Sequence, residues 1–404
     1  SDQIQEKRQM TFLDDAMKIK DQTIALRRDF HSHPELGFEE KRTSNIVAET
    51  LESLGLSVTK GVAETGVVGI LEGSKESPVV LLRFDMDALP ITEDTGVDYA
   101  SKTPGLMHAC GHDSHVAIGL GVAKLLSAKQ ESLKGTIKFV FQPAEEGGGG
   151  AERMVEAGVL ENPKPDYSMG VHVWNDMPVG WYGLTDGPAM AGAEIFDVKI
   201  TGKGAHAASP HQGIDPVVAS AQIITALQTI TSRNVPPLES AVVSVCQVHT
   251  GTAFNIVPQE SVLSGTIRTF KPTVFSKVKE RFEKIVNDIA HAFDCEAEIK
   301  IQRVTYPVIN DQDLVELMTD VVKDVDSKGR VDHNLQTMGS EDFSFMMHNI
   351  PGCFLMVGSS NPEKGLNYGH HHPKFNIDES CLPYAVAILA QGAVEILQKD
   401  PKSI

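Results

Sequence analysis

The chain of 404 residues has no Cys-x-x-Cys pair, and its five cysteines, from Cys110 to Cys381, are odd in number and widely spread. A disulfide framework is therefore not expected. A reducing compartment, where a thiolate can serve as a metal ligand, fits better. Basic residues are in deficit: 36 Lys and Arg stand against 54 Asp and Glu, a net charge of −18. Nucleic acid and anionic membrane surfaces need basic patches and are excluded as non-specific partners, whereas an anionic small substrate is not. No apolar stretch is long enough to span a bilayer. The first residues, Ser1 to Arg8, are polar and carry no apolar leader core. The expected location is cytoplasmic. Repeats are lacking, and the one biased stretch is the glycine run 147–150.

What is present reads as a soluble globular protein, 41% hydrophobic and 22% charged. Its length exceeds one ordinary core, so two domains are expected. Amphipathic periodicity predicts a helix over 12–30 and another over 42–54, stopped by Gly55. Val67–Leu71 and Val79–Phe84 read as strands, the second a continuous apolar run of the kind buried on both faces of a sheet. A helix over 114–128, a strand Thr136–Phe141, a short helix 151–158 and a strand Tyr167–Val173 follow. Alternating strands and helices predict an α/β fold with a mostly parallel sheet, its polar residues gathered past strand C-termini. After about residue 187 the order becomes strand-helix-strand-strand-helix-strand, with helices near 215–231 and 273–292, which predicts an inserted α+β domain. The α/β character resumes through helices near 311–326 and 340–348, a strand Cys353–Val357 and a helix near 380–398. The expected division is 1–186 and 303–404 for the larger domain and 187–302 for the insert.

Chemistry concentrates in a few segments. Met107–Asp113 reads Met-His-Ala-Cys-Gly-His-Asp, and His115 follows. A bland reading is a polar loop in which Asp113 or Ser114 caps the next helix. That does not account for a thiol and three imidazoles in eight positions, whereas a metal site does. Glu145 and Glu146 follow a buried strand and precede four glycines, so one carboxylate can bind metal while its neighbour moves protons. Alone, such a pair is common on surfaces. His172 on a strand would by itself be a core histidine, and His372 lies in the tract Gly369-His-His-His-Pro373. Asp85 and Asp87 past a buried strand are either turn residues or orienters of ligand imidazoles. In the insert, His206 sits in a loop of small residues, and Asn255 and Arg268 read alone as a turn residue and a surface charge.

Taken together, the stretches His31–Phe38, Arg83–Pro90, Met107–His115, Phe141–Gly150, Gly202–Pro210, Phe254–Pro258, Gly265–Arg268, Met338–Phe343 and His371–Pro373 resemble the aminoacylase and glutamate-carboxypeptidase superfamily of amidohydrolases. Within it the chain is most similar to the hippurate hydrolase, N-acyl-amino-acid and indole-3-acetyl-amino-acid hydrolase branch. The resemblance implies a di-metal, aminopeptidase-like catalytic domain and an inserted lid that also mediates homodimerisation. It implies metal ligands Cys110, His112, Glu146, His172 and His372, with Glu145 as general base. His206 would stabilise the oxyanion, and Asn255 and Arg268 would grip the substrate carboxylate. Two divalent ions, manganese or zinc with cobalt or nickel also compatible, would be the cofactors. The implied substrate is an N-acyl amino acid. A dipeptidase or carboxypeptidase on the same scaffold is the alternative, and a metal-dependent binding protein without turnover a remote one.

Overall fold

The computed structural model describes residues 11–399. The chain forms two compact units: residues 11–187, 309–335 and 342–399 make the first, and Pro188–Val308 with Gln336–Glu341 the second. Among the described residues no helix is long and apolar enough to cross a membrane.

The first unit is built on an eight-stranded sheet of β1 (Ser57–Val62), β2 (Gly66–Glu72), β3 (Val79–Asp85), β4 (Thr136–Gln142), β5 (Tyr167–Pro178), β6 (Trp181–Gly183), β7 (Arg330–Asp332) and β8 (Gly352–Ser360). The spatial order is β1-β2-β4-β3-β5-β8-β6-β7. The four central strands, β4-β3-β5-β8, run parallel. Antiparallel pairs lie outside them, at β1–β2, β2–β4 and β6–β8. Every residue of β3, β4 and β8 is buried, as the near-continuous apolar composition of doubly covered strands requires.

Helices α1 (Phe12–Lys18), α2 (Lys20–Ser32), α3 (Lys41–Ser53), α4 (His112–Ser127), α5 (Gly150–Glu156), α6 (Gln312–Val325) and α7 (Leu382–Ile396) surround this sheet. The helix expected over 12–30 is two. Thr11 and Asp14 form a capping box at α1, and Ile19, with φ −98° and ψ 5°, interrupts the run. The buried α4 lies so close to β3 that a Cβ on Gly119 would stand 2.7 Å from the Phe84 ring. The expected 340–348 helix is a single turn, Ser344–Met347.

The second unit is an antiparallel sheet in the order Ala241–Thr250, Glu260–Thr269, Gly192–Thr201, Glu296–Thr305. Helices Pro216–Thr229 and Pro272–Ala292 cover it. Phe196, Val198 and Ile200 from one face of the central strand share their core with Leu227, Val278 and Phe282, following the period-2 alternation of a half-covered sheet.

Candidate metal centre

The parallel strands deliver side chains at their C-terminal ends. Asp85 ends β3 and Asp87 follows it, Glu145 and Glu146 lie in the turn after β4, and His172 is on β5. Cys110 and His112 bracket Gly111, the N-cap of α4, whose φ of +93° is left-handed. A Cβ there would meet Val173 Cγ2 at 2.3 Å, so only glycine lets the backbone turn between two donors. The expected caps, Asp113 and Ser114, are instead inside the first turn of α4 and buried.

Three donor sets converge, each with its ligand atoms within 4.8 Å of one another: Cys110, His112 and His172; Cys110, Glu146 and His371; and His112, Glu145 and Glu146. Cys110 Sγ lies 3.6 Å from His172 Nε2. The outer nitrogens of the imidazoles are occupied. His112 Nδ1 faces the Asp87 carbonyl at 2.8 Å, and His172 Nδ1 faces the Val173 carbonyl at 2.6 Å. Each carbonyl takes the Nδ1–H, which leaves the Nε2 lone pair pointing into the cluster. His112 Nε2 is buried and has no hydrogen-bond partner. It stands 3.6 Å from Asp85 Oδ2 and 3.9 Å from both Glu145 Oε2 and Glu146 Oε1.

The electrostatics favour a cation at this point. Burial works against a charged His112, yet Asp85 and the hydrogen bond to Asp87 outweigh it and hold the imidazole well above its usual pKa. The pocket thus attracts positive charge to Nε2, from a proton or a metal ion. Burial, with His115 and His370 nearby, keeps His172 well below its usual value and therefore neutral, as a ligand must be. Burial and Glu146 push the Cys110 thiol upward, a shift that a bound cation reverses. An orphaned inward nitrogen, a thiol and carboxylates around one point are a donor set that would fit divalent metal ions.

The sequence profile of Peptidase family M20/M25/M40 matches residues 81–394, a span containing every donor above. The chain belongs to this family. Among its relatives is the N-acetyl-L-cysteine deacetylase of Bacillus subtilis, 41% identical over 388 residues, 95% of this chain and 90% of that protein. IAA-amino acid hydrolase ILR1-like 4 of Arabidopsis thaliana is 42% identical, covering 93% and 86%. Thermostable carboxypeptidase 1 of Saccharolobus solfataricus is 39% identical, covering 95% and 98%. The crystal structure of Bacillus subtilis YXEP, described as a dinuclear metal binding peptidase from the M20 family, superposes with a TM-score of 0.84 at 35% identity, over 95% of this chain and all of that one.

In this M20 chain the ligand position expected at His372 is not brought to the cluster. His372 is exposed, stacks on Tyr368 at 4.6 Å and accepts the Lys374 N–H at Nδ1. Its neighbour His371, with φ +66°, turns Nε2 to 3.1 Å from Glu146 Oε1. The third histidine of the tract, His370, accepts the Asn175 N–H at Nε2 and so presents Nδ1–H to Cys110 Sγ, 3.7 Å away. Three consecutive histidines look alike in sequence, and only the left-handed backbone at His371 separates them.

Asp85 and Asp87 both lie against the His112 imidazole, Asp87 also accepting the Glu146 N–H at 2.9 Å. Arg83, which sequence reasoning left without a role, holds Asp85 at 2.8 Å, Gln142 at 2.6 Å and Asp342 at 3.0 Å, all buried. Asp85 in turn faces His115 Nδ1 at 2.5 Å, and His115 Nε2 accepts the Val173 N–H. Both nitrogens of His115 are therefore engaged, although it lies beside the cluster, with a donor atom within 4.8 Å of those of Asp85 and His112. Asp113 accepts from Arg27 at 2.9 Å and faces His31 at 2.8 Å, anchoring α4 from behind. In the second unit His206 pairs across a two-residue bridge with Ile256, and Ala207 N–H donates to the Asn255 carbonyl, so His206 and Asn255 are neighbours. Arg268 is half-buried, with its guanidinium on Thr266 Oγ1.

Proposed function

We propose that the chain hydrolyses the amide bond of N-acyl-L-amino acids of acetyl, benzoyl or indoleacetyl type, releasing a carboxylic acid and a free amino acid. The observation that carries this reading is Cys110 shared between two ligand sets directly beside the Glu145–Glu146 pair. Cys110, His112, His172, Glu146 and His371 would hold the two ions, His371 replacing His372. Manganese or zinc suits this mixture of thiol, imidazole and carboxylate, with cobalt or nickel compatible. When bound, the ions supply a Lewis acid for the scissile carbonyl and acidify water. Glu145 accepts the proton of the attacking water and passes it to the departing nitrogen, so the amine leaves neutral. His206 donates to the developing oxyanion, a contribution of about 2.7–4 kcal/mol for a donor of this kind. Asn255 and Arg268 pair with the substrate carboxylate. A cytoplasmic homodimer assembled through the second unit completes the reading.

The name of the Saccharolobus solfataricus relative favours a second reading, carboxypeptidase action at the same centre. The test of the base is Glu145→Gln. Turnover is expected to vanish while two metal ions per chain are retained. Activity surviving in that variant would remove Glu145 from its role.

A further inference from the structure

Glu145 sits in a turn in which the Pro143–Ala144 and Glu145–Glu146 peptides are each held by a buried carboxylate. Ala144 N–H donates to Glu40 Oε1 at 2.9 Å, and Glu146 N–H donates to Asp87 Oδ2 at 2.9 Å. Glu40 comes from far away in sequence, at the N-cap of α3, and is completely buried. Its second oxygen accepts Thr65 Oγ1–H at 2.5 Å, so neither oxygen is idle. Ala144 is a non-glycine residue with φ +50°, a left-handed conformation that persists only where the surroundings impose it. Packing helps impose it: a Cβ on Gly37 would lie 2.8 Å from Ala144 Cβ, and one on Gly148 would lie 2.6 Å from it. Ala144 O is taken by Gly150 N–H. With the peptide before Glu145 and the peptide after it both fixed, its Cα–Cβ bond has one direction.

We propose that Glu40 is a positioning residue for hydrolysis, its carboxylate fixing the Pro143–Ala144 peptide and with it the left-handed turn at Ala144, which aims the Glu145 side chain at the reacting water. The proposal rests on reading Glu145 as the base. The alternative is a buried carboxylate that only stabilises the fold.

The test uses the full-length, metal-loaded protein, with Glu40→Ala, Glu40→Gln and Glu145→Gln compared on the N-acetyl amino acid that the wild type cleaves fastest. For Glu40→Ala kcat should fall roughly tenfold to a hundredfold, the scale of a base displaced by up to an ångström. KM and metal content should stay near wild type, because Asp87 still holds the Glu146 peptide. Glu40→Gln keeps a carbonyl for Ala144 N–H and an NH2 for Thr65 Oγ1, and should recover most of the rate. If Glu40→Ala does not fold, Gly37→Ala, which presses on Ala144 from its packed side, should show the same loss of kcat at constant KM. Wild-type kcat in the folded alanine variant, or a glutamine variant as impaired as the alanine one, overturns the proposal. So does a loss that only tracks metal content. Glu145→Gln separates the two ideas: if it is inactive while Glu40→Ala is unimpaired, the base stands and the positioning role fails. If Glu145→Gln is active, both fail.

Discussion

Replacing Arg83 by Met tests the electrostatic frame beneath the metal cluster. The guanidinium is fully buried and donates to Asp85 at 2.8 Å, to Asp342 at 3.0 Å and to Gln142 at 2.6 Å. Met matches much of the volume but leaves two carboxylates without their cation in a site closed to water. Removing one partner of a buried pair costs about 3–5 kcal/mol. Burial alone raises the Asp85 pKa, and Arg83 is the largest influence holding it well below its usual value. In the wild type the contribution of Asp85 is thus present above the unfolded carboxylate pKa of about 3.9 and lost as pH falls through the lower folded value. In Arg83→Met the folded pKa moves upward, so the native state binds the extra proton. The deficit therefore grows by up to about 1.4 kcal/mol per pH unit from the wild-type folded pKa up to the higher folded pKa of the variant, and is largest at pH values above both. Both tryptophans, Trp174 on β5 and Trp181 on β6, lie in the first unit. Their fluorescence in urea, on metal-stripped protein, follows that unit alone. A deficit below about 1 kcal/mol at pH 7, or one independent of pH, would refute this reasoning.

His371→Ala should weaken metal binding by at least about 10–100-fold, the loss seen even for groups that only orient ligands, whereas His372→Ala should leave it unchanged. Competitive chelator titration decides, and the reverse ranking would restore His372. Gly111→Ala forces an L-residue to φ +93° and a methyl to 2.3 Å from Val173 Cγ2. It should cost about 2–4 kcal/mol from strain and overpacking together and lower metal content, read by urea unfolding and elemental analysis. A fully stable, fully loaded variant would show that this turn has room to relax.

The parallel core was legible because β3 opens on the continuous apolar run Val79–Leu82 and β4 is apolar at most positions, and a run of that kind has few other places to go. The margins were not. β1 is largely exposed and shows no clean alternation, and β6 and β7 are three residues each. The break at Ile19 is hidden because the apolar stripe continues through α1 and α2. At the site, residue types pointed to metal chemistry around Cys110 and His112, while His172 and Glu146 were expected there only through the family resemblance. What residue types could not announce was pairing across long separations. Arg83 meets Asp342 259 residues later, and Asp113 meets Arg27 86 residues earlier. Asp113 next to a helix start reads as a cap until Arg27 and His31 are known to face it. Glu40 is one acid among several in Glu35–Glu40, distinguished only by the peptide that folds onto it.

The most direct measurement is amino-acid release from acetyl-, benzoyl- and indoleacetyl-amino acids and from matched dipeptides, using metal-stripped protein reconstituted separately with manganese and with zinc. The account predicts release from the acyl substrates by the reconstituted enzyme, little from the dipeptides, and none from the stripped protein. Faster cleavage of the dipeptides, or no cleavage of any acyl amino acid with either metal, would contradict it.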